Sequence, residues 1–322
     1  MKVLVAGGAG YIGSHACKAL ARAGFDPVTV DSLASGHREA VRWGRLIELD
    51  LADRAALPAL LAAENVAAVM HFAASIEVGE SVARPGEYYA NNVVNTLGLL
   101  DAAVAAEVRA VVFSSSAATY GTPSQVPIPE DHPQVPVNPY GETKLAVERA
   151  LRWYGEAHGF GWAALRYFNA AGADPDGETG EAHDPETHLV PLVLEAVLGR
   201  RPPVKVFGTD YATPDGTAVR DYIHVTDLAE AHVLALQRLL DGGSSLAANL
   251  GTGQGYSVRQ ILAAAEAAAG SPVPHEDAAR RAGDPPELVA DPSLAMRELD
   301  WKPTLSDLPT ILATALAWHR RA

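Results

Sequence analysis

The chain has 322 residues, with 25 lysine and arginine residues against 39 aspartate and glutamate, and a formal net charge of −14. That balance excludes non-specific binding to nucleic acid or an anionic membrane surface. No run of about 18 apolar residues argues for a membrane span, and a single cysteine, Cys17, excludes an internal disulfide. The first residues lack the charged and apolar regions of a signal peptide, so a cytoplasmic protein is expected.

Lys2-Val3-Leu4-Val5-Ala6 is an apolar run of the length of a buried strand, followed at once by Gly7-Gly8-Ala9-Gly10-Tyr11-Ile12-Gly13 and a helix predicted over Ser14–Ala23. Gly8, Gly10 and Gly13 fit G-x-G-x-x-G, and Gly7, Gly10 and Gly13 fit G-x-x-G-x-x-G. A strand, a glycine turn and a helix place free N–H groups and the positive end of a helix dipole against a pyrophosphate. A second strand, Pro27–Val30, ends at Asp31. An acid there accepts from the adenosine ribose hydroxyls and repels a 2′-phosphate, which points to NAD rather than NADP.

Alternation continues with a strand over Arg45–Asp50, a helix over Arg54–Glu64 and a strand over Ala67–Phe72. A long helix follows over Tyr88–Glu107, then a strand over Ala110–Phe113 running into Ser114-Ser115-Ser116. The order is that of a parallel sheet covered on both faces, which binds ligands beyond the carboxyl ends of its strands. Thr122–Pro139 is proline-rich and irregular. Tyr140–His158 reads as a helix and Ala163–Tyr167 as a sixth strand. Ala173–Thr187, acidic and poor in apolar residues, reads as a surface loop. Further helices are expected over His188–Leu198, Asp227–Leu240, Ser257–Ala269 and Leu308–Arg320. A strand begins near Val204, and a short one over Ala247–Leu250 rejoins the main sheet. The expected fold is α/β: a Rossmann-type doubly wound sheet (1–170 with about 224–251) and a smaller interleaved lobe (171–223 and 252–322).

Tyr140 and Lys144 are four residues apart, hence on one helix face. A free phenol, with a pKa near 10, is a poor base at neutral pH. A nearby ammonium lowers that pKa and would make Tyr140 a general base for a sugar or alcohol hydroxyl. Ser116 is placed to hydrogen-bond the same hydroxyl. No pair of histidines has helical metal-ligand spacing, so no metal is expected, catalytic zinc included.

These residues resemble the extended short-chain dehydrogenase/reductase family over nearly the whole chain. GGAGYIGSH, HFAA with VGES, EYYANN, SSSAATYG, NPYGETK, LRYFNAAGA, GTAVRDYIHVTDLA and RRAGDPPELVAD resemble its members that epimerise UDP-sugars. The resemblance implies catalysis by Ser116, Tyr140 and Lys144. It implies NAD contacts from Gly7, Gly10, Tyr11, Ile12, Gly13, Asp31, Asp50, Leu51, Phe72, Ala73, Ala74, Asn91, Ser114, Tyr140, Lys144 and Tyr167. For the UDP-sugar it implies Ser116, Tyr140, Phe168, Asn169, His188, Leu189, Val206, Phe207, Arg220, Tyr222, Arg281, Asp284 and Leu288. Arginines suit a diphosphate, because guanidinium grips phosphate oxygens in a fork.

Three positions depart from the family's habit: Ala6 for threonine, Ile76 for lysine, and Leu288 for tyrosine or a small residue beside the sugar's 2-substituent. Related dehydratases need an acid and a base, Asp-Glu, after the serines. Here Ala117 and Ala118 stand there, and neither can move a proton. The implied activity is therefore interconversion of UDP-galactose and UDP-glucose at C4, in a homodimer. The rivals are another UDP-sugar (N-acetylhexosamine, pentose or uronate) and a non-catalytic NAD-bound regulatory protein.

Overall fold

The computed structural model describes residues 1–281 and 284–321. Six strands alternate with helices in the first half. The strands are β1 (Lys2–Ala6), β2 (Asp26–Asp31), β3 (Arg45–Glu48), β4 (Val66–His71), β5 (Ala110–Ser116) and β6 (Gly161–Tyr167). The helices are α1 (Tyr11–Arg22), α2 (Ala56–Glu64), the short α3 (Val78–Ala83) and α4 (Pro85–Tyr88), α5 (Asn95–Ala105) and α6 (Pro139–His158). The second half carries β7 (Asn169–Ala171), α7 (Leu189–Val197), β8 (Val204–Phe207), β9 (Val219–His224), α8 (Val225–Leu240) and β10 (Leu246–Leu250). It ends with β11 (Gly255–Ser257), α9 (Val258–Ala269), β12 (His275–Ala278), β13 (Glu287–Leu288), α10 (Ser293–Leu299) and α11 (Leu308–His319).

The main sheet is parallel throughout, in the order β10-β6-β5-β4-β1-β2-β3. Its inner strands are largely apolar on both sides and therefore sit between two cores. Val3, Val5, Met70 and Val112 face α1 and α8, and Leu4, Val69, Val111 and Ala164 face α2, α5 and α6. The strand order reverses between β1 and β4, which opens a crevice at their carboxyl ends. Ala6 pairs with His71, His71 with Phe113, and Ser116 with Tyr167, so the strand ends share one edge.

The smaller lobe is built on β9, which pairs with β7, β11 and β13, while β8 pairs with β12. Asp221 in β9 ties the lobe's loops together by accepting from the N–H groups of Thr252, Gly253 and Ala290 at 2.9, 3.1 and 3.2 Å. Ser293–Trp301, expected in the smaller lobe, packs Ala295, Leu299 and Trp301 into the core behind the main sheet.

Two stretches differ from expectation. The helix expected over Tyr88–Glu107 contains a π-helical segment, Tyr89–Val94. Asn92, buried at its centre, bonds the main chain of Ser75 through both ends of its amide (2.8 and 2.9 Å) and donates to the Thr143 hydroxyl at 3.1 Å. A side chain inserted between a loop and a neighbouring helix favours such a local widening of the turn. The expected surface loop 173–187 is partly buried instead. Lys18 on α1 takes Asp174 at 2.7 Å, and Ser14 meets Thr179 at 2.7 Å, because the loop's acids and hydroxyls find partners on α1.

Candidate active site

The glycine turn is shaped by close approach. Gly7 has φ +82°, and a Cβ there would lie 2.6 Å from the Ala73 nitrogen; one on Gly13 would lie 2.1 Å from the Gly7 carbonyl oxygen. The turn can therefore nest against the end of β4 only without side chains. Gly10 is different: a Cβ there would meet only the Gly7 oxygen, at 3.4 Å, so its bareness leaves room on the outer side. Gly10 also caps α1 without a side-chain hydrogen bond, which leaves the N–H groups of the first turn free of any capping side chain. Asp31 braces this turn, accepting from Ala9 N–H at 3.0 Å and Leu33 N–H at 2.9 Å. Asp50 is exposed beside buried Leu51, and Phe72 and Ala73 both donate their N–H to the Ala6 carbonyl at 2.8 and 3.0 Å. Asn91, at the π-helical segment, donates to the Ser75 hydroxyl at 2.9 Å.

Tyr140 and Lys144 occupy the first turns of α6, which Asn138 caps by accepting from the Gly141 N–H at 2.9 Å, with Pro139 at the first helical position. Gly141 lets that turn touch the next strand end, since a Cβ would lie 2.5 Å from the Ala118 carbonyl oxygen. The approach brings Tyr140 beside Ser116. The Ser116 Oγ also accepts from the Ala118 N–H at 3.1 Å, and Ala117 and Ala118 form a short 3-10 turn.

The electrostatics differ from expectation. Burial raises the Tyr140 phenol above its ordinary value, and the Ser116 hydroxyl pulls it part of the way back. Lys144 does not lower it here: its Nζ donates to the Ser114 carbonyl at 2.8 Å and lies 5.7 Å from the Tyr140 ring centroid. Burial pushes Lys144 itself down to about 7, opposed by the carboxylate of Glu148. Tyr167, its hydroxyl 2.6 Å from Ser114 Oγ, is raised by burial and by its neighbour Tyr140.

Glu148 was not singled out from the sequence, although Tyr140, Lys144 and Glu148 repeat every four residues along one helix face. It is buried, bonds Ser115, and pairs with Arg166 at 2.7 Å. Removing one partner of such a pair costs about 3–5 kcal/mol. Asn92 escaped for another reason: its partners, Ser75 and Thr143, are distant in sequence.

The smaller lobe gathers most of the remaining residues on strand pairings. β9 sets Tyr222 against Asn169 and Arg220 against Leu288. β8 and β12 run side by side, and Arg281, just beyond β12, lays its guanidinium over the Phe207 ring at 4.1 Å while Val206 is buried beneath. Arg220 is paired with Asp284. Leu288 packs with Phe168 against a small cluster of Ala117, Tyr120 and Ile128.

His188 precedes Leu189 at the start of α7, but the structure engages it elsewhere. It meets Glu181 at 2.8 Å and Glu186 at 3.1 Å, and His183 meets Glu181 at 3.1 Å. Burial lowers the His188 imidazole, but hydrogen bonds to the two glutamates outweigh it and raise it to about 10. The absence of helical spacing between these histidines did not keep them apart, because a loop folds them together.

A strand, glycine turn and helix at the reversal of a parallel sheet, with a tyrosine–lysine pair facing a serine on a neighbouring strand end, defines a dinucleotide-dependent enzyme of hydroxyl chemistry. The chain belongs to the NAD dependent epimerase/dehydratase family, whose model matches residues 3–251. It is 54% identical over 320 residues to a UDP-glucose 4-epimerase of Rhizobium leguminosarum bv. trifolii, covering 99% of this chain and 98% of that one. Among solved structures it resembles UDP-glucose 4-epimerase from Brucella ovis in complex with NAD, at 53% identity and TM-score 0.96, covering 98% of each chain. It also resembles the enzyme from Stenotrophomonas maltophila with bound NAD and formylated UDP-arabinopyranose, at 42% identity and TM-score 0.96, covering 100% of this chain and 98% of that one.

Proposed function

We infer that this protein interconverts UDP-galactose and UDP-glucose, using NAD. The observation that carries the inference is the meeting of Ser116, Tyr140 and Lys144 at one sheet edge, followed by Ala117 and Ala118, in a chain half identical to UDP-glucose 4-epimerases along its length. The residues present fit the cofactor. The open side of Gly10 and the uncapped first turn of α1 suit a pyrophosphate, and Asp31 at the end of β2 suits a ribose diol. Gly7, Tyr11, Ile12, Gly13, Asp50, Leu51, Phe72, Ala73, Ala74, Asn91, Ser114 and Tyr167 complete the proposed holding set. When bound, NAD supplies the acceptor that takes the C4 hydride and returns it, and its positive ring favours the Tyr140 phenolate.

Tyr140 removes the proton of the sugar's 4-hydroxyl and later gives it back, with Ser116 orienting that hydroxyl. Lys144 is held by the Ser114 carbonyl, and the Glu148 carboxylate favours its charged form against burial. With alanines at 117 and 118, the site has no second acid there to expel water from the sugar, which supports epimerisation over dehydration. Arg281 and Arg220 are the proposed clamps of the diphosphate, with Asp284, Phe207, Val206, Leu189 and Tyr222 around the nucleotide. Phe168, Asn169 and Leu288 border the sugar, which must turn over while the diphosphate stays anchored.

The purified protein is expected to convert UDP-galactose to UDP-glucose with no added cofactor, because the hydride is returned within each turnover. Absence of conversion sinks the inference. Leu288, packed with Phe168 against the cluster of Ala117, Tyr120 and Ile128, bears on the choice of sugar. Leu288→Tyr is expected to lower turnover of UDP-N-acetylglucosamine relative to UDP-glucose, in one panel of UDP-sugars assayed side by side. A cytoplasmic homodimer completes the proposal. Exposed Tyr89 and Val94 on the π-helical segment and Trp153 on α6 supply an apolar face for a second copy.

A further inference from the structure

The loop between β7 and α7 holds four metal-binding side chains that the proposed reaction does not use as a group. Glu181, His183, Glu186 and His188 each point one donor atom into a common space, with all four within 4.8 Å of one another. Glu181 is buried and the other three are half-buried. The Nδ1 atoms of both histidines converge on the same Glu181 oxygen, at 3.1 and 2.8 Å, and Glu186 closes the group at 3.1 Å from His188 and 3.9 Å from His183. Ligands about 2.0–2.1 Å from a tetrahedral zinc ion stand roughly 3.4 Å from each other. The observed separations bracket that spacing.

Charge points the same way. Once a metal ion displaces the imidazole protons, two carboxylates and two imidazoles present a charge of −2 to it, and among the described residues no lysine or arginine pairs with Glu181 or Glu186. The neighbouring acids of the same loop behave differently: Asp174, Asp176 and Glu178 all gather on Lys18. The four donors are also held from behind. Thr187 and His188 donate their N–H groups to Glu186 at 2.7 and 2.8 Å, and Trp318 on α11 donates its indole N–H to the Glu181 carbonyl at 2.9 Å. Gly180 lies flat on the Trp318 ring, where a Cβ would come within 2.5 Å. Tyr11, at the head of α1, sets its ring edge-on to His183 with centroids 6.2 Å apart.

We propose that Glu181, His183, Glu186 and His188 bind one divalent transition-metal ion of the zinc class. The ion clasps the loop to the start of α7, beside the head of α1. Two imidazoles with two carboxylates suit zinc, cobalt or nickel better than magnesium or calcium, which favour all-oxygen shells. All four positions would be filled by protein, so the ion's role is structural. The proposal does not depend on the substrate, and its test needs no turnover.

The test uses full-length protein made without a histidine tag, stripped with a chelator and dialysed. Zinc is then added and measured by elemental analysis, and cobalt is titrated by visible absorption. The expected results are one zinc per chain, four-coordinate ligand-field bands with cobalt, and a higher melting temperature with zinc. His183→Gln is expected to weaken cobalt binding at least about a hundredfold, since even groups behind a ligand are worth 10–100-fold. If that variant fails to fold by circular dichroism, Glu186→Gln gives the same readout. Wild-type protein that takes up no stoichiometric zinc overturns the proposal. So does equal cobalt binding by wild type and a folded variant. The cluster is then a set of histidine–glutamate ion pairs.

Discussion

The two halves of the site are built by different means. The cofactor half is built on successive strand–turn–helix units: the glycine turn, the starts of α1 and α6 and the ends of β2, β4 and β5, with Lys144 and Glu148 buried behind them. The nucleotide-sugar half is long-range and open: β9 draws in residues from positions 169, 220, 222 and 288, and its arginines stay within reach of solvent. Buried groups in the first half act on the reacting atoms through charge, where low polarity makes each charge count. Half-exposed groups in the second half hold a flexible substrate and leave its sugar free to turn. The first half should therefore govern kcat, and the second KM.

The largest effect expected to test that division is at Tyr140. Tyr140→Phe removes the proton acceptor and keeps the ring, so kcat should fall about 10²–10⁴-fold. Bound NAD and the melting temperature should change little. A coupled UDP-galactose assay checks it, and a kcat within a few-fold of wild type would break the comparison on its stronger side.

Arg281→Ala should act on the other parameter. Its guanidinium stacks on Phe207 and, among the described residues, pairs with no carboxylate, so it is available to phosphate oxygens. Loss of one charge-assisted contact of about 1.5–3 kcal/mol should raise KM roughly 10–100-fold with kcat nearly kept. A fall confined to kcat would mean that the lobe takes part in the chemistry rather than in holding the nucleotide.

The same contrast explains what the sequence revealed. Gly7 to Gly13, Asp31 and the Tyr140–Lys144 pair are visible because strand, turn and helix periodicity place them within a few residues of one another. β13 has only two residues, and β9 is broken by Arg220 and Asp221, so alternation does not mark them. Their site residues came from family resemblance alone. The Glu181–His188 cluster escaped because it rests on a loop, where spacing carries no geometry. The acidic composition of 173–187 suggested exposure, and only the fold shows Lys18 and Trp318 waiting for it.

The smallest effect expected, measured per pH unit, concerns Lys144 and stability. Burial depresses its folded value to about 7, against about 10.4 for an unperturbed lysine. Between those values the unfolded chain holds more protons than the folded one, so stability gains from rising pH across that window. Below about pH 7 both states are protonated, and the cost of the buried charge is felt in full. For a single proton the slope is at most about 1.4 kcal/mol per pH unit. Lys144→Met keeps the length and burial and removes the titration. Urea melts of wild type and variant at several pH values from 7 to 10, without added NAD, should show the wild type gaining on the variant as pH rises. Parallel curves would mean that Lys144 stays fully charged in the fold. The cofactor half would then rely on paired surface-like charge, as the nucleotide-sugar half does with Arg220 and Asp284.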